Sequence, residues 1–132
     1  MAEARIATVT MKSERPTTVA RFWRDLLGYE VAPNHSDSIM LVAPGQPSLL
    51  IQPSKHPVPS GAIHLDLRPD DQARCIETAL RLGATRADIG QAGDEGWVVL
   101  ADPGGNLFCV LASHDEHAEL LTKDPGTPTP ID

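Results

Sequence analysis

The chain is short of cysteine, of aromatic side chains and of basic charge, and it has no long apolar run. Its two cysteines, Cys75 and Cys109, make no disulfide framework, so a reduced, cytosolic setting is expected. No apolar stretch approaches the ~18 residues of a membrane span, which argues against a helical membrane anchor. The segment Met1 to Val9 carries Glu3 and Arg5 and lacks a signal-peptide core. Eleven basic against 18 acidic residues give a formal charge of −7, so the phosphates of nucleic acid would be repelled. The same balance favours neutral or cationic small ligands. What is present suits a folded domain: 132 residues with 41% hydrophobic content are enough for one core. A chain of this length buries about two-thirds of its unfolded surface and needs no staple to fold.

A weak internal repeat organises the sequence. Residues 6–31 run strand pattern, Pro16, helix pattern, then Leu27-Gly28-Tyr29-Glu30-Val31. Residues 63–86 run strand pattern, Pro69, helix pattern, then Leu82-Gly83-Ala84-Thr85. Each half continues into an apolar run, a Pro-Gly turn (Ala43-Pro44-Gly45-Gln46; Asp102-Pro103-Gly104-Gly105-Asn106) and another apolar run. The first helix is expected from Pro16, with Val19, Phe22, Trp23, Leu26 and Leu27 on one face and Gly28 as its left-handed cap. The second is expected after a capping Asp70 or Asp71, with Ala73, Ile76 and Leu80 buried and Gly83 at its end. Pro53 to Gly61 reads as a linker. Residues 113–132, acidic and then Pro-rich, read as a tail holding a short helix at most before disorder.

The strands alternate. In Ile63-His64-Leu65-Asp66-Leu67-Arg68 the aliphatic residues point one way and His64, Asp66 and Arg68 the other. In Ile6 to Lys12, Val9 and Met11 oppose Thr8, Thr10 and Lys12. One side of each strand can therefore cover a helix. If the two strands are neighbours, their polar sides line a cleft.

These elements resemble a known family. Arg21-Phe22-Trp23-Arg24-Asp25-Leu26-Leu27-Gly28-Tyr29-Glu30-Val31 is similar to the first-module signature of the glyoxalase/bleomycin-resistance/dioxygenase (vicinal oxygen chelate) superfamily. Ile63 to Leu67, Leu82 to Thr85 and Trp97 to Leu111, with the Asp-Pro-Gly-Gly-Asn turn, resemble its second module. The resemblance covers about residues 4–112. It implies an α+β fold of two βαβββ modules, about 4–52 and 62–112, whose curved mixed sheets enclose a cleft. It also implies a homodimer. The family's members include lyases, epimerases, ring-cleaving dioxygenases, thiol transferases and drug-sequestering proteins, so fold alone does not select a reaction.

Metal-using members draw ligands from both modules. The resemblance maps these positions to Thr8, to Leu50 or Gln52, to His64 and to Cys109. Only His64 keeps a common ligand type, and His64 with Cys109 makes two where Zn²⁺ sites usually need three or four. The expected cofactor is therefore none, with a divalent metal as the alternative. The expected partner is a small organic molecule bound in the cleft, with no nucleic acid and no membrane. The candidate cleft residues are Thr8, Thr10, Gln52, His64, Asp66, Trp97 and Cys109.

Each candidate carries a plainer reading beside the functional one. His64 is a ligand anchor or proton carrier, since its ordinary pKa of ~6.5 suits transfer near neutrality, or a strand histidine bonded to a neighbour. Asp66 orients His64, meets a cationic ligand, or forms a structural salt bridge. Cys109 is a nucleophile if its thiol is made acidic, or else a small packing residue. Trp97 stacks on a flat ligand or serves an interface or the core. The alternative to a binding protein is a glyoxalase-like enzyme acting on a carbonyl or vicinal-oxygen substrate through His64. Asp102 reads as a turn device, and His35, His56, His114 and His117 share no ligand-like grouping.

Overall fold

The computed structural model describes residues 5–33, 36–59, 62–87, 96–123 and 126–130. Asn34 and His35, the linker's Ser60 and Gly61, and residues 88–95 lie outside the described residues.

The first half contains β1 (Thr8–Ser13), α1 (Pro16–Leu27), β2 (Glu30–Ala32), β3 (Ile39–Val42) and β4 (Ser48–Pro53). The second contains β5 (Leu65–Leu67), α2 (Gln72–Arg81), β6 (Thr85–Arg86), β7 (Trp97–Ala101) and β8 (Leu107–Leu111), and α3 (His114–Lys123) follows. The halves build two separate four-stranded sheets of the same topology, β1-β4-β3-β2 and β5-β8-β7-β6. In each, the opening strand runs parallel to the last, β1 with β4 and β5 with β8, and the other pairs are antiparallel. The fold is α+β, two βαβββ modules in one chain.

Local chemistry sets the helix boundaries. Pro16 opens α1, where a missing N–H costs nothing. Gly28 ends it at φ 72°, a conformation that a side chain would resist. The Asp71 carboxylate caps α2 by accepting from the Arg74 N–H at 3.1 Å. The α2 face differs from expectation at one position. Ala73 is exposed, and Ala79 is fully buried. In the first turn Gln72 takes the inward role, its Nε2 donating to the Val110 carbonyl at 3.1 Å, and Ile76, Ala79 and Leu80 follow at helical spacing. The strand expected over 63–68 is confined to 65–67, and β1 starts at Thr8, with Ile6 71% exposed.

One core joins the modules. Met11, Leu41, Leu49 and Ile51 of the first sheet and Leu100, Phe108 and Val110 of the second belong to a single buried cluster with α1. Phe22 and Trp23 on α1 meet Phe108 on β8, with ring centroids 5.7 and 4.9 Å away. A buried aromatic cut to alanine typically costs about 3–5 kcal/mol, so this trio is a principal bond between the halves. Among the described residues, no helix is long and apolar enough to cross a membrane.

Candidate functional site

Strand pairing assembles a cluster of three ionisable side chains. In the parallel β5–β8 pair, Asp66 stands opposite Cys109, so their side chains share a sheet face. His64 precedes Asp66 by two residues and falls on the same side. Its Nε2 lies 3.2 Å from Asp66 Oδ1 and 3.1 Å from Cys109 Sγ. The His64 and Asp66 side chains are 40% and 58% exposed, whereas Cys109 is buried. Burial pushes the Cys109 thiol up to about 11, and the neighbouring Asp66 carboxylate adds to the rise. At neutral pH the metal-free thiol is therefore protonated and a poor nucleophile.

The other expected residues fall elsewhere. Thr8 and Thr10 lie exposed along β1, and Gln52 on β4 stands opposite Lys12. Val9 and Met11, between them, turn to the core. Trp97 opens β7 opposite Leu111 and is 42% exposed. By register it shares the sheet face of Val99 and Cys109.

A second feature lies where the modules abut. A crevice of about 370 Å³ is lined by Val9, Leu27, Tyr29 and Leu49 from the first module and by Leu65 and Asp66 from the second. Its walls are mostly aliphatic, with Gln46, the Asp66 carboxylate and the Tyr29 ring as polar features. The Tyr29 hydroxyl donates to the Pro47 carbonyl at 2.8 Å, which fixes the ring at the rim. Of the seven residues singled out from sequence, Asp66 alone lines this crevice. The aliphatic residues were missed because they read as core: Val9 on edge strand β1 and Leu65 on edge strand β5 are only half-buried and face a gap. Their alternation was legible, and the gap was not.

Among the described residues, the groups able to hold a metal ion are His64, Asp66 and Cys109, whose donor atoms all lie within 4.8 Å of one another. Imidazole, carboxylate and thiol form a donor set suited to zinc-like ions and unsuited to magnesium or calcium, which take oxygen ligands.

A duplicated βαβββ unit built as two four-stranded sheets in one chain is the architecture of the glyoxalase/bleomycin-resistance fold. Residues 8–111 match the glyoxalase-like domain family, and the chain belongs to that family. The sequence shows no significant match to any curated protein. Solved structures match in fold. One is a glyoxalase/bleomycin resistance protein/dioxygenase family enzyme from Burkholderia phytofirmans, 16% identical, covering 81% of this chain and 97% of its own at a TM-score of 0.66. Another is the bleomycin-binding protein of Streptomyces verticillus, solved with copper(II)-bleomycin, 19% identical, covering 86% and 100% at 0.61. A third is an antibiotic-binding protein from a Streptomyces species, 16% identical, covering 86% and 98% at 0.63.

Proposed function

We propose that this protein binds a small organic molecule in the crevice between its modules, without the metal arrangement usual in its family. The observation that carries the reading is the crevice itself: both modules line it, it is largely aliphatic, and one carboxylate opens onto it. Its volume falls within the ~300–1,000 Å³ of ordinary ligand sites. The net charge of −7 and Asp66 favour a ligand that is cationic. Two structural neighbours bind antibiotics, which supports the same class of ligand here. Of the positions that carry metal ligands in the family, Thr8 and Leu50 or Gln52 supply no imidazole and no carboxylate.

The pairing of His64 with Asp66 favours a second reading, in which a bound carbonyl or vicinal-oxygen substrate exchanges a proton with His64 while Asp66 holds the ring. The working unit is proposed to be a homodimer in a reducing, cytoplasmic compartment. Edge strands β2 and β6 leave sheet borders open to pairing, and Val31 on β2 is 57% exposed. The free thiols Cys75 and Cys109 fit such a compartment.

The test is calorimetric titration with a panel of cationic aromatic compounds, bleomycin among them. Saturable binding is expected, abolished by Leu65→Trp, which fills the crevice, and weakened roughly tenfold by Asp66→Asn, as expected for about 1.4 kcal/mol of charge interaction. Binding that survives Leu65→Trp in the folded variant would place the ligand elsewhere. Turnover of a bound compound, lost in His64→Ala, would establish the second reading.

A further inference from the structure

We propose that His64, Asp66 and Cys109 form a binding site for a thiophilic divalent metal ion of the zinc class, contained wholly within the second module. Family resemblance places ligands on both modules and gives Asp66 no role. Here the third donor, Asp66, comes from β5, which His64 immediately precedes.

The argument is geometric. Asp66 and Cys109 are register partners on adjacent parallel strands, and His64 is two residues from Asp66, so three different donor atoms converge on one side of the β5–β8 pair. Around a tetrahedral Zn²⁺ with bonds of about 2.0–2.3 Å, neighbouring donors stand roughly 3.3–3.8 Å apart. The Nε2–Oδ1 and Nε2–Sγ separations of 3.2 and 3.1 Å are a few tenths of an ångström below that span. A small rotation of the exposed His64 and Asp66 side chains makes up the difference. Cys109 needs no movement, since it is buried and held between β5 and β7.

The chemistry of the set narrows the ion. One thiolate, one imidazole and one carboxylate suit Zn²⁺, Co²⁺, Ni²⁺ or Cu²⁺, and the sulfur excludes Mg²⁺ and Ca²⁺. Three protein ligands leave a tetrahedral ion one open position. That position would be reached by solvent, because the His64 and Asp66 side chains are 40% and 58% exposed, whereas Cys109 is buried. Water or a ligand oxygen or nitrogen can occupy it. Asp66 also borders the crevice, so a bound ion and a cationic organic ligand would compete for its carboxylate.

The experiment uses the full-length protein, stripped with chelator and titrated with Co²⁺. One ion per chain is expected, with an intense near-ultraviolet thiolate-to-cobalt charge-transfer band and visible bands of a four-coordinate ion. Zn²⁺ should displace the Co²⁺ and bleach the spectrum, whereas excess Mg²⁺ should not. Cys75→Ser should leave the band intact. Cys109→Ser should remove it, and His64→Ala and Asp66→Asn, both at exposed positions, should each weaken Co²⁺ binding by about 100-fold or more, beyond the 10–100-fold that outer-shell partners command. A missing charge-transfer band in the wild-type protein overturns the proposal. So does a band lost with Cys75 instead of Cys109, or unchanged affinity in the two exposed variants. The spectrum reads the metal alone, so this result stands or falls separately from binding of any organic molecule.

Discussion

The indole Nε1 of Trp23, in the middle of α1, donates to Oδ2 of Asp102, in the turn between β7 and β8, at 2.9 Å and fully out of water. The bond spans 79 residues and ties the helix of one module to the hairpin turn of the other. The same carboxylate organises its own turn. Oδ1 accepts from the Gly104 and Asn106 N–H groups at 2.8 and 2.9 Å, and the Asn106 side-chain amide donates to both oxygens. Arg15, just before α1, adds a bond to the Pro103 carbonyl. The turn is therefore a junction between modules as well as a reversal of the chain.

Replacing Asp102 tests that junction. Asp102→Ala leaves the buried Trp23 and Asn106 donors without their acceptor. Each donor stranded in a dry site costs about 1–3 kcal/mol, and hydrogen bonds to a charged group lie at the upper end. A total loss of roughly 3–5 kcal/mol is expected, in the range found when one partner of a buried charged network is removed. Urea unfolding measures it. Asp102→Asn should also destabilise, because its amide N–H₂ would face donors. A loss below 1 kcal/mol for Asp102→Ala would mean that water replaces the carboxylate and that the turn is not a junction.

Gly104 lies against the first module for a steric reason. A Cβ at this position would come within 2.6 Å of Val19 Cγ2 on α1 and 3.0 Å of Ser13 Oγ on β1. Both neighbours are buried and have nowhere to retreat. Gly104→Ala should therefore cost about 1–3 kcal/mol through overpacking. Gly45→Ala is the useful contrast. That glycine sits at φ 73° with nothing near its missing Cβ, so its cost is backbone strain of ~1 kcal/mol without a steric part. Thermal unfolding of the two variants separates these effects: Gly104→Ala should melt lower.

The repeat, both helices and the alternation of the strands were legible because each rests on local chemistry. Pro16, Gly28 and Asp71 mark boundaries by their own backbone or side-chain preferences. Trp23 on the apolar side of α1 and Asp102 at its turn were each readable alone. Their mutual bond was not, since no local pattern records a contact 79 residues long. For the same reason His64 and Cys109 could be counted as potential ligands while Asp66 was read as an orienting or charge-pairing group. Only strand register places the carboxylate beside the sulfur. The start of α3 carried a missed local signal. Ser113-His114-Asp115-Glu116 is a capping box, with the Glu116 N–H donating to Ser113 Oγ at 3.2 Å and the Ser113 N–H to Glu116 Oε1 at 3.4 Å.

That box gives a third prediction. The helix has no buried residue, so packing does little to hold it and the cap matters more than usual. Ser113→Ala removes one half of the reciprocal pair, and about 1 kcal/mol of local stability should go with it. Amide exchange should speed up across residues 114–123 and stay unchanged in β8. Uniform acceleration through β8 would show that α3 and the sheet open together.

The Cys109 thiol supplies a pH prediction whose sign is fixed. Its pKa rises in the folded chain from 9.0 to about 11, through burial first and the Asp66 carboxylate second. The folded protein thus holds this proton more tightly than the unfolded chain does. Stability from this group is complete below pH 9, declines as pH rises, and is lost through pH 11. A two-unit shift of a buried group corresponds to at most roughly 2–3 kcal/mol. In metal-free protein, alkylation of Cys109 by iodoacetamide should therefore be slow at pH 7 and should accelerate steeply only near pH 11, whereas the urea-unfolded chain should react with an ordinary cysteine profile. Asp66→Asn removes the charge contribution and leaves the burial, so the profile should shift to lower pH without returning to that of the unfolded chain. A profile unmoved by Asp66→Asn would mean that burial alone sets the thiol and that the carboxylate is turned away from the sulfur in solution.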